Sequence, residues 1–276
     1  MTLHHTVVGV DGSLVSVRAL DWAAAEAVRH GTALRVVYAV PDRDEAAPVL
    51  ASAASRVRQR YQDLAVETVA AEGGAVPVLV RESAKAALTV VGTRGLGALT
   101  GAAFGSVSLR LAALARGPLL VVRGDHPCDK GQDVLLGLED DTDAQAAAYA
   151  FQEADRRGAR LRVLRSRAHR HITLELPSPV PARSPGQERL TPDSRDEKAV
   201  PRHALTRLRD RYPAVEVETH TVPAAPADVL LEATREAAVV VIGAHHRTTV
   251  LGARLGPVAH TLLHRAHCPV VVVPNV

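Results

Sequence analysis

The sequence predicts an α/β protein made of two tandem copies of one domain, each with a five-stranded parallel sheet and helices on both faces. Short valine-rich runs alternate along the chain with segments of helical periodicity. These runs are apolar almost throughout, as expected for strands that are buried on both faces of a parallel sheet. The same order of elements then occurs a second time. A length of 276 residues allows two domains of ordinary size.

The first copy contains five predicted strands with four helices between them. The strands are expected at 6–10, 34–40, 66–70, 88–91 and 118–123. The helices are expected at 19–28, 49–64, 77–87 and 106–115. In the first helix, Leu20, Ala23 and Ala27 share one face, and Gly31 is a typical helix stop. Pro77 is expected at the first position of its helix, where proline is well tolerated.

The second copy repeats these elements from residue 134 onward. A strand at 134–138 matches 7–10, a helix at 142–157 stops at Gly158, and a strand follows at 161–164. Residues 230–243 align with 79–92, and 268–274 align with 117–123. We therefore expect domains at 1–124 and 132–276 with a polar seam at 124–132. A Pro/Ser/Arg-rich insertion at about 166–200 is expected to be a mobile loop, either a tolerated insertion or a functional lid.

Composition and charge exclude several classes of partner. Apolar residues make up 47% and charged residues 23%, which is ordinary for a globular protein, and the formal net charge is +3. The basic residues form no concentrated patch with aromatic residues, so no nucleic-acid partner is expected. No apolar run is long enough to span a membrane. The start of the chain lacks a signal-peptide pattern, and Cys128 and Cys268 form no CxxC pair, so we expect a cytoplasmic protein.

The most informative stretch is 90–108, VVGTRGLGALTGAAFGSVS. Glycines that follow a strand let the backbone approach a ligand closely. A Gly105-Ser106 pair at the start of a helix offers unpaired N–H groups, a hydroxyl and the positive end of the helix dipole, which favour phosphate. Neither a Walker A loop nor a G-x-G-x-x-G fingerprint is present. The stretch therefore predicts a phosphate-binding loop of another kind.

Asp11 lies at the carboxyl end of the first predicted strand, where ligands of open parallel sheets bind. Its carboxylate can accept hydrogen bonds from a ribose or an adenine amino group. Alternatively, Asp11-Gly12-Ser13 only turns the chain and caps the next helix. The residues alone leave both interpretations open.

The spacing Gly92-x2-Gly95-x9-Gly105-Ser106, with VVGVDGS near the start and the doubled α/β unit, resembles the universal stress protein family. The likeness is to its tandem two-domain, actinobacterial-type members, and it covers nearly the whole chain. In that family, the G-2x-G-9x-G-(S/T) spacing marks the members that bind ATP. The resemblance implies Rossmann-like (adenine nucleotide alpha hydrolase-like) domains and a role in the stress response. It also implies an adenine nucleotide, ATP, as ligand, with Mg²⁺ as an accompanying ion.

The resemblance also implies which residues contact the nucleotide. Asp11 matches an adenosine contact, and Ala39 matches a backbone contact to adenine. The glycines match approach points for ribose and phosphate, and Arg94 either offers a charge to phosphate or is solvated. The full implied set is Val10, Asp11, Ala39, Gly92, Thr93, Arg94, Gly95, Gly105, Ser106 and Val107. Ser108 either adds a hydroxyl or faces the exterior of its helix.

No catalytic or metal-binding set is evident from the sequence. No general base stands next to a nucleophile, which favours nucleotide binding over ATP hydrolysis. A slow ATP hydrolase and an interaction scaffold that binds no nucleotide remain the alternatives. His260, His264 and His267 have helical spacing, and two of them could bind zinc if a third ligand converged. The absence of a neighbouring carboxylate, and the presence of Arg265, favour a solvated face for them.

The second copy departs from the nucleotide motif. His246 replaces the second glycine, Pro257 replaces the serine, and Glu139, Asp140 and Asp141 replace Asp11-Gly12-Ser13, whereas Gly243 and Gly256 are kept. Proline removes an N–H donor, and three carboxylates would repel phosphate. We therefore predict a degenerate second site. The last strands of the two copies are expected to pair with each other in an intramolecular pseudo-dimer. A homodimer and an unknown protein partner are further expectations.

Overall fold

The protein alternates strands and helices almost throughout. A computed structural model describes residues 5–41, 43–93, 106–123, 133–138, 143–166, 200–222, 226–244, 246–249 and 252–274. The first copy comprises β1 (His5–Gly9), α1 (Leu14–His30), β2 (Leu34–Val40), a 3-10 turn (Arg43–Ala46), α2 (Ala47–Arg60), β3 (Val66–Glu72), α3 (Ala75–Ser83), β4 (Ala86–Gly92), α4 (Ser106–Leu114) and β5 (Leu119–Val122). The second comprises β6 (Asp133–Leu138), α5 (Ala144–Arg157), β7 (Arg160–Ser166), α6 (Val200–Arg211), β8 (Val217–Val222), α7 (Pro226–Ala233), β9 (Ala237–Ala244), β10 (His246–Thr249), β11 (Gly252–Leu255), α8 (Pro257–Arg265) and β12 (Val270–Pro274).

The described strands form one sheet of ten and a separate two-stranded hairpin. The order in the sheet is β3-β2-β1-β4-β5-β12-β9-β6-β7-β8. Neighbouring strands are parallel within each half of the sheet. The halves join through β5 and β12, which are antiparallel and pair Val121 with Val270. This pairing confirms the predicted intramolecular association of the two copies.

Helices cover both faces of the sheet and enclose two apolar cores. On one face α1, α2, α5 and α6 pack on the strands, and on the other face α3, α4, α7 and α8 do so. Successive strand residues point to opposite faces, so Val8 and Val90 lie in the first core while Val7 and Val91 lie in the second. Valine, leucine and alanine supply most of both cores, as the low aromatic content requires.

Gly31 and Gly158 end α1 and α5, as predicted from the sequence. Both glycines adopt the left-handed backbone conformation, with φ of 62° and 58°. Their N–H groups bond to carbonyls of the last helical turn, which is the usual way in which a glycine terminates a helix. The two helices are therefore equivalent elements of the two copies.

Several boundary predictions were wrong, among them the end of the helix predicted at 49–64, which stops at Arg60. The helix predicted at 19–28 begins at Leu14, because Ser13 caps it. The helix predicted at 77–87 begins at Ala75 and ends at Ser83, so Pro77 is its third residue. Ala86 and Ala87 belong to β4. Proline fits anywhere in the first turn of a helix, because the N–H groups of that turn have no partner within the helix. The presence of Pro77 therefore did not determine at which residue α3 begins.

The seam at 124–132 lies outside the described residues. So does the insertion expected at about 166–200, apart from Ser166 at the end of β7 and Val200 at the start of α6. Within the described part of the chain, every helix is too short or too polar to cross a bilayer.

Candidate functional site

The candidate site lies where the strand order reverses in the first half of the sheet. From β1 the chain continues to β2 on one side, and β4 later pairs with β1 on the other side. Ligands of open α/β sheets bind at the carboxyl ends of strands at such a reversal. Val10 and Asp11 follow β1, Ala39 lies near the end of β2, and Gly92 and Thr93 lie at the end of β4. The structure thus brings these predicted residues to one edge of the sheet.

Asp11 forms the turn that leads into α1. Its Oδ1 accepts a hydrogen bond from the Ser13 N–H at 3.0 Å, and its own N–H donates to Ser16 Oγ at 3.3 Å. The Ser16 N–H in turn donates to Ser13 Oγ at 3.2 Å, which caps the helix. Gly12, between them, has a φ of 80°, which disfavours side chains. The structural role considered for Asp11 is therefore present, and it directs the amino terminus of α1 to the candidate site.

Gly92 allows α1 to pack closely on the end of β4. A Cβ at this position would lie 2.6 Å from Val15 Cγ1 and 3.0 Å from the Val15 carbonyl oxygen. No ordinary side chain fits at such distances. Packing therefore requires this glycine whether or not a ligand is bound, a reason that the sequence motif alone did not reveal.

Thr93 connects β4 to its neighbours. The Thr93 N–H donates to the Val122 carbonyl at 3.1 Å, which continues the pairing with β5. Ser108 Oγ donates to the Thr93 carbonyl at 3.4 Å, and both residues are buried. Ser108 therefore does not face the exterior, but ties the first turn of α4 to the end of β4. Val107 is half-buried beside the core.

The remaining predicted residues are only partly described. Arg94, Gly95 and Gly105 lie outside the described residues. Ser106 is the first residue of α4, although its side chain also lies outside them. The start of α4 is thus located, and its first N–H groups lack partners within the helix.

The second copy differs at the equivalent position. Gly243 lies inside β9, and the aligned counterpart of the glycine loop contains the antiparallel hairpin β10–β11. α8 then begins at Pro257. The residue at its amino-terminal cap is Gly256, which has no side chain that could cap the helix. β11 contacts α4 of the first copy. The three carboxylates Glu139, Asp140 and Asp141 lie outside the described residues.

The histidines considered for zinc lie on α8 and just after it. The rings of His260 and His264 are tilted by 37° to each other, with centroids 4.3 Å apart. Burial, His260 and Arg123 together lower the pKa of His264, which favours its neutral form. His267 uses its backbone N–H to bond Thr234 Oγ1 at 3.0 Å. Among the described residues, the metal-ligating side chains that come together are elsewhere, on α1 and α5.

That group comprises Glu26, His30 and Glu153, with one donor atom from each within 4.8 Å of the others. No sequence motif indicates this group, because Glu153 is 123 residues from His30. A signal was present in retrospect: Glu26 and Glu153 each stand five residues before the glycine that ends their helix.

Comparisons with known proteins agree with this architecture. A family model described as the universal stress protein family matches residues 2–123 and 132–274. A universal stress protein of Mycolicibacterium smegmatis is 31% identical, over 99% of this chain and 97% of its own length. One from Mycobacterium tuberculosis is also 31% identical, over 98% of this chain and 96% of its own. The crystal structure of a universal stress protein from Archaeoglobus fulgidus aligns with a TM-score of 0.69 at 16% identity, covering 98% of this chain and 96% of that one.

Proposed function

The chain belongs to the universal stress protein family, and we propose that its first copy binds ATP while its second copy does not. The observation that carries the proposal is the spacing Gly92-x2-Gly95-x9-Gly105-Ser106, found in the first copy and broken in the second. The resemblance to the family's ATP-binding members rests on this spacing.

The geometry of the described residues supports a nucleotide in this place. The end of β4 and the start of α4 are tied together by the bond between Ser108 and Thr93, so the amino end of α4 is held at the edge of the sheet. The first N–H groups of a helix have no partner within the helix, and together with the helix dipole they favour phosphate there. Asp11 follows the neighbouring strand β1 at the same edge, where a ribose or adenine would follow the phosphates. Mg²⁺ would accompany the phosphates, since it usually keeps waters and few protein ligands.

A binding and regulatory role is favoured over catalysis. Of the residues predicted for this site, Asp11 is the one carboxylate, and its Oδ1 already accepts a hydrogen bond from the Ser13 N–H. A carboxylate engaged in shaping a turn is a poor general base for activating water. We therefore propose nucleotide-dependent regulation, in the cytoplasm, of a partner that the sequence does not identify.

The test is calorimetric titration of the purified chain with ATP and Mg²⁺. One nucleotide per chain is expected. Gly105→Val should abolish binding, because a branched side chain would cover the N–H groups at the start of α4. Gly256→Val is the matched control in the second copy and should leave the stoichiometry at one.

Two nucleotides per chain, or equal losses in both variants, would contradict the asymmetric proposal. No binding by a chain with a normal circular dichroism spectrum would favour the interaction scaffold. Steady phosphate release that disappears in Asp11→Ala would favour a hydrolase.

A further inference from the structure

A buried polar cluster lies between the two copies, on the face of the sheet where α1 contacts α5. Its acidic members, Glu26 and Glu153, are equivalent residues of the two helices. Their side chains are 1% and 2% exposed, and the side chain of His30 is 4% exposed. Charged groups are rarely buried to this extent unless they are paired or bind a metal ion.

Arginines hold one oxygen of each carboxylate. The Arg157 guanidinium donates to Glu26 Oε1, and its Nε donates to Glu153 Oε1 at 2.5 Å. Arg29 also donates to Glu26 Oε1, at 2.8 Å. Both Oε1 atoms are therefore occupied, and the carboxylates are fixed in orientation.

The other carboxylate oxygens face His30. Its Nε2 lies 3.2 Å from Glu153 Oε2 and 3.7 Å from Glu26 Oε2. Glu26 Oε2 is buried and has no hydrogen-bond partner among the described residues. Arg156, at 3.6 Å, is the other cation near Glu153 Oε2, and its side chain is 31% exposed. His30 Nε2 and the two Oε2 atoms thus lie close together. Among the described residues, Glu26 Oε2 accepts no hydrogen bond.

Two of the three separations, 3.2 and 3.7 Å from His30 Nε2 to the two Oε2 atoms, fit a small metal ion, and all three donor atoms lie within 4.8 Å of one another. A tetrahedral Zn²⁺ with bonds of about 2.0–2.2 Å holds its donor atoms about 3.3–3.6 Å apart. Imidazole nitrogen and carboxylate oxygen are both ordinary zinc ligands, and a fourth position can be taken by water. We propose that Glu26, His30 and Glu153 form a divalent metal site, with Zn²⁺ as the expected ion, that joins the two copies. This site is independent of the proposed nucleotide site.

Burial and the neighbouring charges shift the pKa values of the two carboxylates in opposite directions. Burial favours the neutral form of Glu153, but the hydrogen bond with His30 and the charge of Arg157 lower its pKa to about 2, so it is ionised. Burial and the charge of Glu153 raise the pKa of Glu26. Arg157 then acts as the outer partner that orients ligating carboxylates.

The test uses the full chain, freed of metal with a chelator and then titrated with ZnCl₂ at pH 7.5. Because the three ligands are buried, loading is repeated by refolding from urea in the presence of ZnCl₂. One tightly held Zn²⁺ per chain is expected after gel filtration, measured by elemental analysis. Co²⁺ in place of zinc should give visible absorption typical of four-coordinate cobalt.

His30→Gln should weaken Zn²⁺ binding by about 100-fold or more. Loss of a residue that only orients a ligand already costs about 10–100-fold in metal affinity, and loss of the ligand itself costs more. His220→Gln is the matched control: His220 is paired with Glu218 at 2.7 Å, but this pair is exposed and is not part of the three-ligand group. Glu153→Gln, checked for folding by circular dichroism, provides a second variant. Absence of bound zinc in the wild type after both loading protocols would overturn the proposal. Equal zinc content in the wild type and His30→Gln would overturn it as well.

Discussion

Replacing Gly92 with alanine is the sharpest test of how the candidate site is built. The added Cβ would lie 2.6 Å from Val15 Cγ1, and a rotation of that side chain could relieve the contact. It would also lie 3.0 Å from the Val15 carbonyl oxygen and 3.2 Å from its carbonyl carbon. These are backbone atoms, so relief requires the start of α1 to move away from β4.

The magnitude follows from two opposing effects. Overpacking of a close contact costs about 1–3 kcal/mol. Alanine also restricts the unfolded chain, which returns about 0.4–1 kcal/mol. We therefore expect Gly92→Ala to lower the free energy of unfolding by about 1–2 kcal/mol. Because Asp11 and Ser13 adjoin the displaced end of α1, nucleotide affinity should fall as well.

The assay is urea unfolding followed by the fluorescence of Trp22. This is the single tryptophan of the chain, and it is buried in α1, close to the expected displacement. Gly9→Ala is the matched control. Its Cβ would meet Leu79 Cδ1 at 2.9 Å, but that atom is the end of a flexible side chain. Gly9→Ala should therefore lower the free energy of unfolding by clearly less than Gly92→Ala does.

Two results would refute this reasoning. One is a Gly92→Ala variant with an unfolding free energy within about 0.5 kcal/mol of the wild type, the range of ordinary surface substitutions. The other is a greater loss in Gly9→Ala than in Gly92→Ala. Either would mean that the start of α1 is not packed as closely on β4 as the structure shows.

Three further predictions concern stability and reactivity. Arg157→Met leaves two buried carboxylates without their main cation and should cost about 3–5 kcal/mol in urea unfolding. Arg56→Met breaks an exposed ion pair and should cost less than about 1 kcal/mol, so equal losses would contradict the importance of burial. Burial raises the pKa of the Cys268 thiol to about 12, so in a Cys128→Ser background it should react with a thiol reagent at pH 8 only after unfolding. Fast labelling of the native protein would show that the thiol is accessible. Ser13→Ala should cost about 1 kcal/mol through loss of the α1 cap, and Ser13→Gly less, as measured by thermal denaturation; the reverse order would argue against capping.

The architecture could be predicted because its signals are local and occur twice. Valine runs and helical periodicity identify strands and helices over short windows, and Gly31 and Gly158 take the left-handed conformation expected at helix ends. The pairing of β5 with β12 followed from a different argument, that the last strand of each copy would otherwise be an open edge. The family resemblance then supplied the candidate nucleotide residues.

Other features depend on tertiary contacts and could not be predicted in this way. Ala86 and Ala87 favour helix by propensity, but pairing with β1 places the start of this segment in a strand. The hairpin β10–β11 arises in a segment that aligns with a glycine loop. The requirement for glycine at position 92 comes from Val15, which is far away in the chain. The cluster of Glu26, His30 and Glu153 exists only because two distant helices meet.

The antiparallel joint between β5 and β12 determines the direction in which each copy faces. Because each half of the sheet is parallel within itself, the carboxyl edges of the two halves open on opposite sides of the molecule. A ligand at one edge therefore leaves the other edge uncovered. Residues at one carboxyl edge can therefore differ from their counterparts in the other copy without facing the other edge. One continuous sheet thus holds two carboxyl edges that lie on opposite sides of the molecule.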